Sequence, residues 1–250
     1  VTAFTLYDTF GFPVDLTEDI ARREGLIVDS AGFEEQMELQ REKARTSSAF
    51  TEAAGGGGDL ESSLGSSGVR FVGYDVLEAE GEILELQEKT EAGYVSCGEL
   101  AEGRQGRLIT DVTPFYGESG GQVGDTGTIR SDADGARVLG TSKTESGIII
   151  HQVHVETGAF RKGMKVTLAV DQNRRKSIMR HHSATHLLQR ALRDVLGEHV
   201  HQSGSLVDET RLRFDFTHFT AVSREELERV EAIVNQYVLE DLPIRTEITP

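Results

Sequence analysis

The spacing of apolar residues changes along the chain and divides it into parts of different predicted structure. In the first part, 1–48, apolar residues such as Leu16 and Ile20 recur at helical spacing behind a cap at Asp15, which predicts a short helical segment. The next part, 49–68, is rich in glycine and serine and has little to bury. We expect a flexible connection there.

Between residues 69 and 172 the pattern changes to short β-type runs that are broken by glycines. Many short strands with frequent turn residues favour an antiparallel barrel or sandwich over a parallel sheet with crossover helices. The last part, 173–250, predicts a long helix that begins after Asp171 and stops at Gly197, then two strands, a helix capped by Ser223 and a short final strand, IRTEI. The predicted fold class is therefore α+β.

Composition narrows the class of protein. No apolar run approaches the ~20 residues that span a bilayer, so we expect a protein without a membrane partner. The single cysteine, Cys97, cannot form an internal disulfide, which fits the reducing cytoplasm. The chain begins at Val1 without an initiator methionine or a secretory signal, and this predicts a piece of a longer cytoplasmic protein.

The charge is distributed unevenly. A net charge of −16 argues against nucleic-acid binding, because phosphate contacts need lysine and arginine. Residues 173–218, however, carry eight basic against five acidic side chains and six of the eight histidines. A basic, histidine-rich segment inside an acidic chain is where we expect a site.

The clearest chemical pattern in that segment is HxxxH, formed by His182 and His186 in RHHSATHLLQRAL. On a helix this spacing puts both imidazoles on one face, which suits a metal but also suits ordinary surface or core histidines. Metalloprotease chemistry needs a glutamate after the first histidine, and Ser183 stands there instead. A zinc site also needs three or four protein ligands, so two histidines are half of one.

Two further segments contain candidate residues. In TPFYGESGGQVGDTG, 113–127, five glycines let another backbone or a ligand come close, and a tight barrel corner is the alternative interpretation. In HVHQSGSLVDETRLRFDF, a strand that returns past the long helix would bring Gln202 toward the histidine face, although a polar strand edge explains the spacing equally well.

Together these segments resemble the alanyl-tRNA synthetase family. LYDTFGFPVDLTEDIARREGLIVD resembles the end of the tRNA-recognition region of these enzymes, the GGQ segment resembles their editing domain, and HSATH followed by HQSGSLVDETRLRFDF resembles the metal-binding helix and the strands after it. The resemblance covers nearly all 250 residues. The chain is also similar to freestanding editing proteins and to the editing part of threonyl-tRNA synthetase. It implies a β-barrel followed by an α+β editing unit.

The resemblance also implies roles for residues. In the family, zinc is held by the HxxxH histidines and a downstream CxxxH pair, so His182 and His186 are the expected ligands and the CxxxH pair is expected beyond Pro250. Two expected residues of the editing pocket are Gln202 and Thr113. The residues expected to contact the tRNA(Ala) acceptor end are Gly120, Gly121, Gln122, Arg174, Arg175 and Arg180, although a solvated helix start explains the arginines equally well.

The implied function is editing. The family hydrolyses tRNA(Ala) that is wrongly charged with serine or glycine, because an alanine pocket excludes these amino acids poorly. Attachment of alanine, with ATP and magnesium, is expected to reside in a catalytic domain before Val1. With two of the four expected zinc ligands, the chain alone is expected to be incomplete for this activity. The alternatives are an inactive RNA-binding or structural module and a freestanding aminoacyl-tRNA deacylase.

Overall fold

The structure is a computed structural model that describes residues 2–10, 14–37, 68–241 and 243. The chain divides into two compact units, Val1–Gly57 and Gly58–Pro250. In the first unit, helices α1 (Thr2–Phe10) and α2 (Val14–Arg23) are followed by a third, α3, at residues 30–37. The helical prediction for this segment is confirmed as far as the described residues reach. The predicted cap is wrong, because α2 begins at Val14 and Asp15 therefore lies within its first turn.

The second unit begins with eleven strands. They are β1 (Arg70–Phe71), β2 (Glu78–Thr90), β3 (Gly93–Ser96), β4 (Glu99–Ala101), β5 (Gln105–Thr110), β6 (Val112–Thr113), β7 (Gly127–Arg130), β8 (Gly135–Lys143), β9 (Ile149–Thr157), β10 (Ala159–Arg161) and β11 (Lys165–Val170). Seven of them, in the order β11-β7-β8-β9-β5-β2-β3, form an antiparallel sheet, and β11 also pairs with β2, so that β3 lies outside the closed ring of six. This last pairing closes the sheet into a barrel, so the barrel prediction is confirmed and the sandwich alternative is wrong.

Alternate residues along the barrel strands face one interior, and most of these residues are apolar. Its largest buried side chains, with almost no exposed surface, are Phe115, Phe160, Ile83, Leu86, Leu108, Ile129 and Leu168. Strands β4 and β10 form a short antiparallel ladder at one side, and they contribute Leu100 and Phe160 to this core. The barrel is therefore a packed domain rather than an open channel.

An α+β segment follows the barrel at once. The long helix α4 (Gln172–Leu196) is capped by the carboxylate of Asp171, which accepts a hydrogen bond from the backbone N–H of Arg174, and it ends at Gly197, as predicted. Strands β12 (Gln202–Val207) and β13 (Leu212–Phe216) form an antiparallel hairpin. Helix α5 (Arg224–Leu239) starts with a capping box between Ser223 and Glu226.

These elements share a small core of their own, in which one side of α4 packs against α5 and the hairpin. Its buried members are Ala191, Leu192, Val200 and Val230, with Phe214 and Phe216 packed against them. The predicted final strand IRTEI and most of the predicted 49–68 connection lie outside the described residues, and the predicted domain boundaries stay predictions. None of the helices in the described ranges has the length and apolarity that a membrane crossing requires.

A buried ion pair fastens α4 to the barrel. Arg175 lies in the first turn of the helix, and its guanidinium donates to both carboxylate oxygens of Asp125, with Nε 3.0 Å from each oxygen. Its remaining N–H groups donate to the carbonyl oxygens of Gly73, at 2.7 Å, and Pro114, at 2.9 Å. The Asp125 carboxylate also accepts the backbone N–H of Tyr116 at 2.7 Å. One side chain therefore joins three separated parts of the chain.

The barrel interior also contains a buried polar pair. His151 has no exposed surface, and its Nδ1–H donates to the carbonyl oxygen of Leu108 at 2.9 Å. Its Nε2 accepts the hydroxyl hydrogen of Thr113 at 2.8 Å. Burial disfavours the charged imidazole and lowers the pKa of His151 from 6.5 to about 4, although the hydrogen bond to Leu108 opposes the shift.

The ion pair predicts non-additive effects of substitution. We expect Arg175→Met to lower the free energy of unfolding by about 3–5 kcal/mol, because Asp125 would be left as an unpaired buried charge. Asp125→Asn should also destabilise, and the double variant should lose clearly less than the sum of the two. Urea unfolding measures all three. Arg190→Met breaks an exposed pair with Asp194 on the same helix and should change little; additive losses at Arg175 and Asp125 would contradict the coupling.

The buried histidine predicts a pH dependence. An unfolded chain protonates His151 near pH 6.5 but the folded chain only near pH 4, so acid favours unfolding across this window. The loss should approach about 3 kcal/mol by pH 4 and be absent above pH 7. Urea unfolding at a series of pH values should show that this acid-dependent loss in the free energy of unfolding is absent in His151→Gln. Identical pH profiles of the two proteins would show that His151 is not responsible.

Candidate functional site

The predicted histidine pair lies on α4, with the two rings side by side. The ring centroids of His182 and His186 are 5.1 Å apart and the ring planes are tilted by 34°. His186 is exposed and His182 is partly buried. Burial and the neighbouring His186 both lower the pKa of His182, which favours its neutral form. Neutral imidazole is the form that binds metals.

The glycine-rich loop supplies a direct partner for this pair. The Oε1 atom of Gln122 lies 2.6 Å from Nδ1 of His182. Because a carbonyl oxygen only accepts, Nδ1 must be the donor, and the lone pair of the neutral ring is then on Nε2. Gln122 is itself buried, so its side chain is held in place. The predicted loop and the predicted helix therefore meet at one hydrogen bond.

Backbone contacts with β12 hold the loop in this position. The N–H of Val207 donates to the carbonyl oxygen of Gly121 at 2.8 Å, and the N–H of Val123 donates to that of Val207 at 3.1 Å. Gly121 has φ of +82°, and a Cβ there would collide with the carbonyl oxygen of Ser205. Gly120, with φ of +61°, has open space where a Cβ would lie. Gly121 thus permits the close approach of the β12 backbone, and the space beside Gly120 is open.

Neighbouring contacts attach α4 to the turn after β12. Nδ1 of His181 donates to the carbonyl oxygen of Asp208 at 2.7 Å, so this ring is engaged away from the pair. Arg174 donates to the carbonyl oxygen of Gly124 at 2.7 Å and pairs with Glu209 at 3.1 Å. Helix, loop and hairpin are thereby joined around His182.

The structure does not bring every predicted pocket residue to the histidines. Gln202 is exposed at the start of β12, opposite Phe216, whereas the other end of that strand, Val207, lies beside the loop. Thr113 is fully buried, and its hydroxyl also accepts the backbone N–H of Phe115 at 3.0 Å. Neither residue has a described contact with the histidine pair. Their roles in an editing pocket stay predictions.

The predicted tRNA-binding arginines differ in position. Arg175 is buried in its ion pair. Arg174 is partly buried and is engaged with Gly124 of the loop and with Glu209. Arg180 is exposed, and its guanidinium contacts Ser177 on the same helix at 2.9 Å. At about 100° per residue it leaves α4 roughly opposite His182. Contact of these arginines with tRNA stays a prediction.

The histidine pair fits a metal as part of a ligand set. Zinc accepts imidazole nitrogen, and metal-binding histidines usually donate their other ring N–H to an oxygen, as His182 does to Gln122. In the part of the chain that the structure describes, no group of three or more histidine, cysteine, aspartate or glutamate side chains is placed to hold a metal ion. The two histidines are therefore candidates for two ligands of such a site.

Sequence reasoning missed the residues that position the loop. Asp125 and Arg175 are 50 positions apart, and nothing in local spacing pairs them. The available signal was one carboxylate inside a glycine-rich run and a cluster of arginines at a helix start. The hydrogen bond from His182 to Gln122 spans 60 positions and has no local signature either.

Comparison with known proteins identifies the family. A family model described as class II (A) tRNA synthetases matches residues 1–174. The alanine–tRNA ligase of Geobacillus kaustophilus is 46% identical over 246 residues, which are 97% of this chain and 27% of the relative. Those of Pseudomonas entomophila and Thermus thermophilus are each 46% identical, over 98% and 99% of this chain.

The chain spans 27–28% of the length of these relatives. The family model ends at Arg174, but the similarity to the ligases continues through the histidine helix and the hairpin, since it covers 97% or more of the chain. The chain therefore belongs to the class II (A) tRNA synthetases, and among them to the alanyl-tRNA synthetase family.

Proposed function

We propose that this chain is the editing part of an alanine–tRNA ligase, and that it hydrolyses the ester of tRNA(Ala) wrongly charged with serine or glycine. The observation that carries the proposal is the hydrogen bond between His182 and Gln122, which joins the HxxxH helix to the glycine-rich loop. Such hydrolysis is needed because an alanine pocket discriminates weakly against one hydroxyl or one missing methyl group. We assign ATP- and magnesium-dependent attachment of alanine to the remaining length of the relatives.

The proposed cofactor is zinc, held by Nε2 of His182 and by His186 together with further ligands. Bound zinc supplies polarisation of the ester carbonyl or a water of lowered pKa. The chain's own residues provide the geometry. Gln122 fixes the orientation and tautomer of His182, the β12 backbone fixes Gln122, and the open space at Gly120 leaves room for the aminoacyl end to approach.

A second candidate function is tRNA binding without hydrolysis. It is favoured by one observation, that the described residues place two histidines together and no third metal-binding side chain. The two functions differ in whether serine is released from the RNA, and a single assay separates them.

The editing proposal predicts zinc-dependent release of serine. Together with the further zinc ligands that the proposal requires, the chain should hydrolyse Ser-tRNA(Ala) but not Ala-tRNA(Ala), and a chelator should abolish the activity. His182→Ala and His186→Ala should each lower the rate by roughly a hundredfold or more. Loss of a residue that only orients a metal ligand lowers metal affinity or activity by ~10–100-fold, and loss of the ligand itself should cost more. Release of labelled serine measures the rate. Melting temperatures should stay close to that of the unsubstituted chain, since neither histidine lies in a core.

The control for this assay is His201→Ala, which removes an exposed histidine directly before β12 and should leave the rate unchanged. RNA binding without zinc-dependent serine release would favour the second function. Equal loss of rate in His201→Ala would show that the histidine pair has no special role.

The orientation of His182 predicts an effect of Gln122 on metal affinity. Gln122→Leu removes the acceptor of the Nδ1–H group and should weaken zinc binding by about 10–100-fold. Titration against a chromophoric zinc chelator gives the affinity. Gln105→Leu replaces an exposed glutamine on β5 and serves as the matched control. Unchanged affinity in Gln122→Leu would contradict the proposed orienting role.

A further inference from the structure

We propose that the exposed ring of Tyr74 is a stacking platform for a base in the single-stranded 3′ end of tRNA. This proposal rests on the proposed function, because that 3′ end carries the aminoacyl ester. It adds a binding residue outside the histidine helix and outside the glycine-rich loop.

Tyr74 belongs to a small aromatic cluster beside the loop. Its side chain is 85% exposed, although a tyrosine normally buries much of its ring. Phe71 supports it edge to face, with centroids 4.9 Å apart and an interplanar angle of 84°, and Phe71 also contacts Tyr116 at 6.2 Å. The ring is therefore supported from the protein side while most of its surface is open.

The turn that presents Tyr74 is fixed to the barrel. The N–H groups of Asp75 and Val76 donate to the carbonyl oxygen of Val72 at 3.1 and 3.2 Å. The carbonyl oxygen of Gly73 accepts from Arg175 at 2.7 Å, and a Cβ on Gly73 would collide with the carbonyl oxygen of Pro114. A ring held in advance loses little conformational entropy when it binds a ligand.

Arg175 connects the turn that carries Tyr74 to the loop that contacts the histidine pair. Arg175 binds Gly73 next to Tyr74 and binds Asp125 at the end of the glycine-rich loop. Within the loop, the hydroxyl of Tyr116 donates to the carbonyl oxygen of Ser119 at 3.4 Å, and Ser119 exchanges backbone hydrogen bonds with Gln122. The platform, the loop and His182 thus have a common anchor.

The surroundings of Tyr74 favour a base over other ligands. Asp75 is exposed next to Tyr74 in sequence, and Glu118 is exposed in the glycine-rich loop. Their negative charges repel RNA phosphates, so an RNA contact at Tyr74 has to come from a base and not from the backbone. A flat aromatic face binds a nucleobase by stacking without charge attraction and with little dependence on base identity. A protein partner needs a larger contiguous interface than one ring in polar surroundings. Single-stranded RNA is therefore the occupant we infer.

The test uses an RNA hairpin that carries no amino acid, with the acceptor stem of tRNA(Ala) and 2-aminopurine in its single-stranded 3′ end. Stacking on Tyr74 should quench the fluorescence when the unsubstituted 250-residue chain is added. Tyr74→Ala should abolish the quenching and weaken binding roughly ten- to a hundredfold, the size of one base–aromatic stack. Tyr74→Phe keeps the ring and should retain both.

The matched control is Phe219→Ala, since Phe219 is also 85% exposed but is stacked on His199 and has no described contact with the loop. It should bind RNA as the unsubstituted chain does. Unchanged binding in Tyr74→Ala, equal loss in Phe219→Ala, or no binding by the unsubstituted chain would each overturn the proposal. The RNA carries no amino acid, so its binding does not depend on hydrolysis. Binding that requires Tyr74, together with no serine release in the earlier assay, would support the platform and refute the proposed hydrolysis.

Discussion

The guanidinium of Arg175 is the contact on which the arrangement of the site depends. It satisfies a carboxylate and two backbone carbonyl groups that come from distant parts of the chain, and all of them are shielded from water. A buried charge is tolerated only when its hydrogen-bonding capacity is filled, so these four groups specify one another's positions. The start of α4, the turn at Gly73 and the end of the glycine-rich loop are therefore fixed as a unit.

Within that unit, the chemistry of the histidine pair is set by an amide. A histidine on a helix can present either ring nitrogen, and spacing alone does not choose between them. The Oε1 atom of Gln122 accepts from Nδ1 of His182 and leaves Nε2 as the basic atom. The tautomer of His182 is thus set by the loop and the helix together.

The fold was largely predictable from sequence because its signals are local. Asp171 and Gly197 bound α4, Ser223 and Glu226 cap α5, and alternation with glycine breaks gave the strands. Barrel closure required the pairing of β11 with β2, and local pattern does not encode such a pairing. The histidine pair was found by spacing and by resemblance. The sequence predicts Gln122 only as a tRNA contact, since its contact with His182 spans 60 positions and leaves no periodic trace.

The short connection between barrel and helix has a consequence for folding. Val170, the last residue of the closing strand β11, pairs with Gly127, and α4 begins two residues later. Arg175 then has to reach Gly73, 102 positions earlier, and contacts of such separation form late because their loop-closure entropy is repaid only by other native contacts. The histidine and glutamine side chains are thus brought together by long-range contacts and by no local segment, so a peptide that contains only α4 would lack the site.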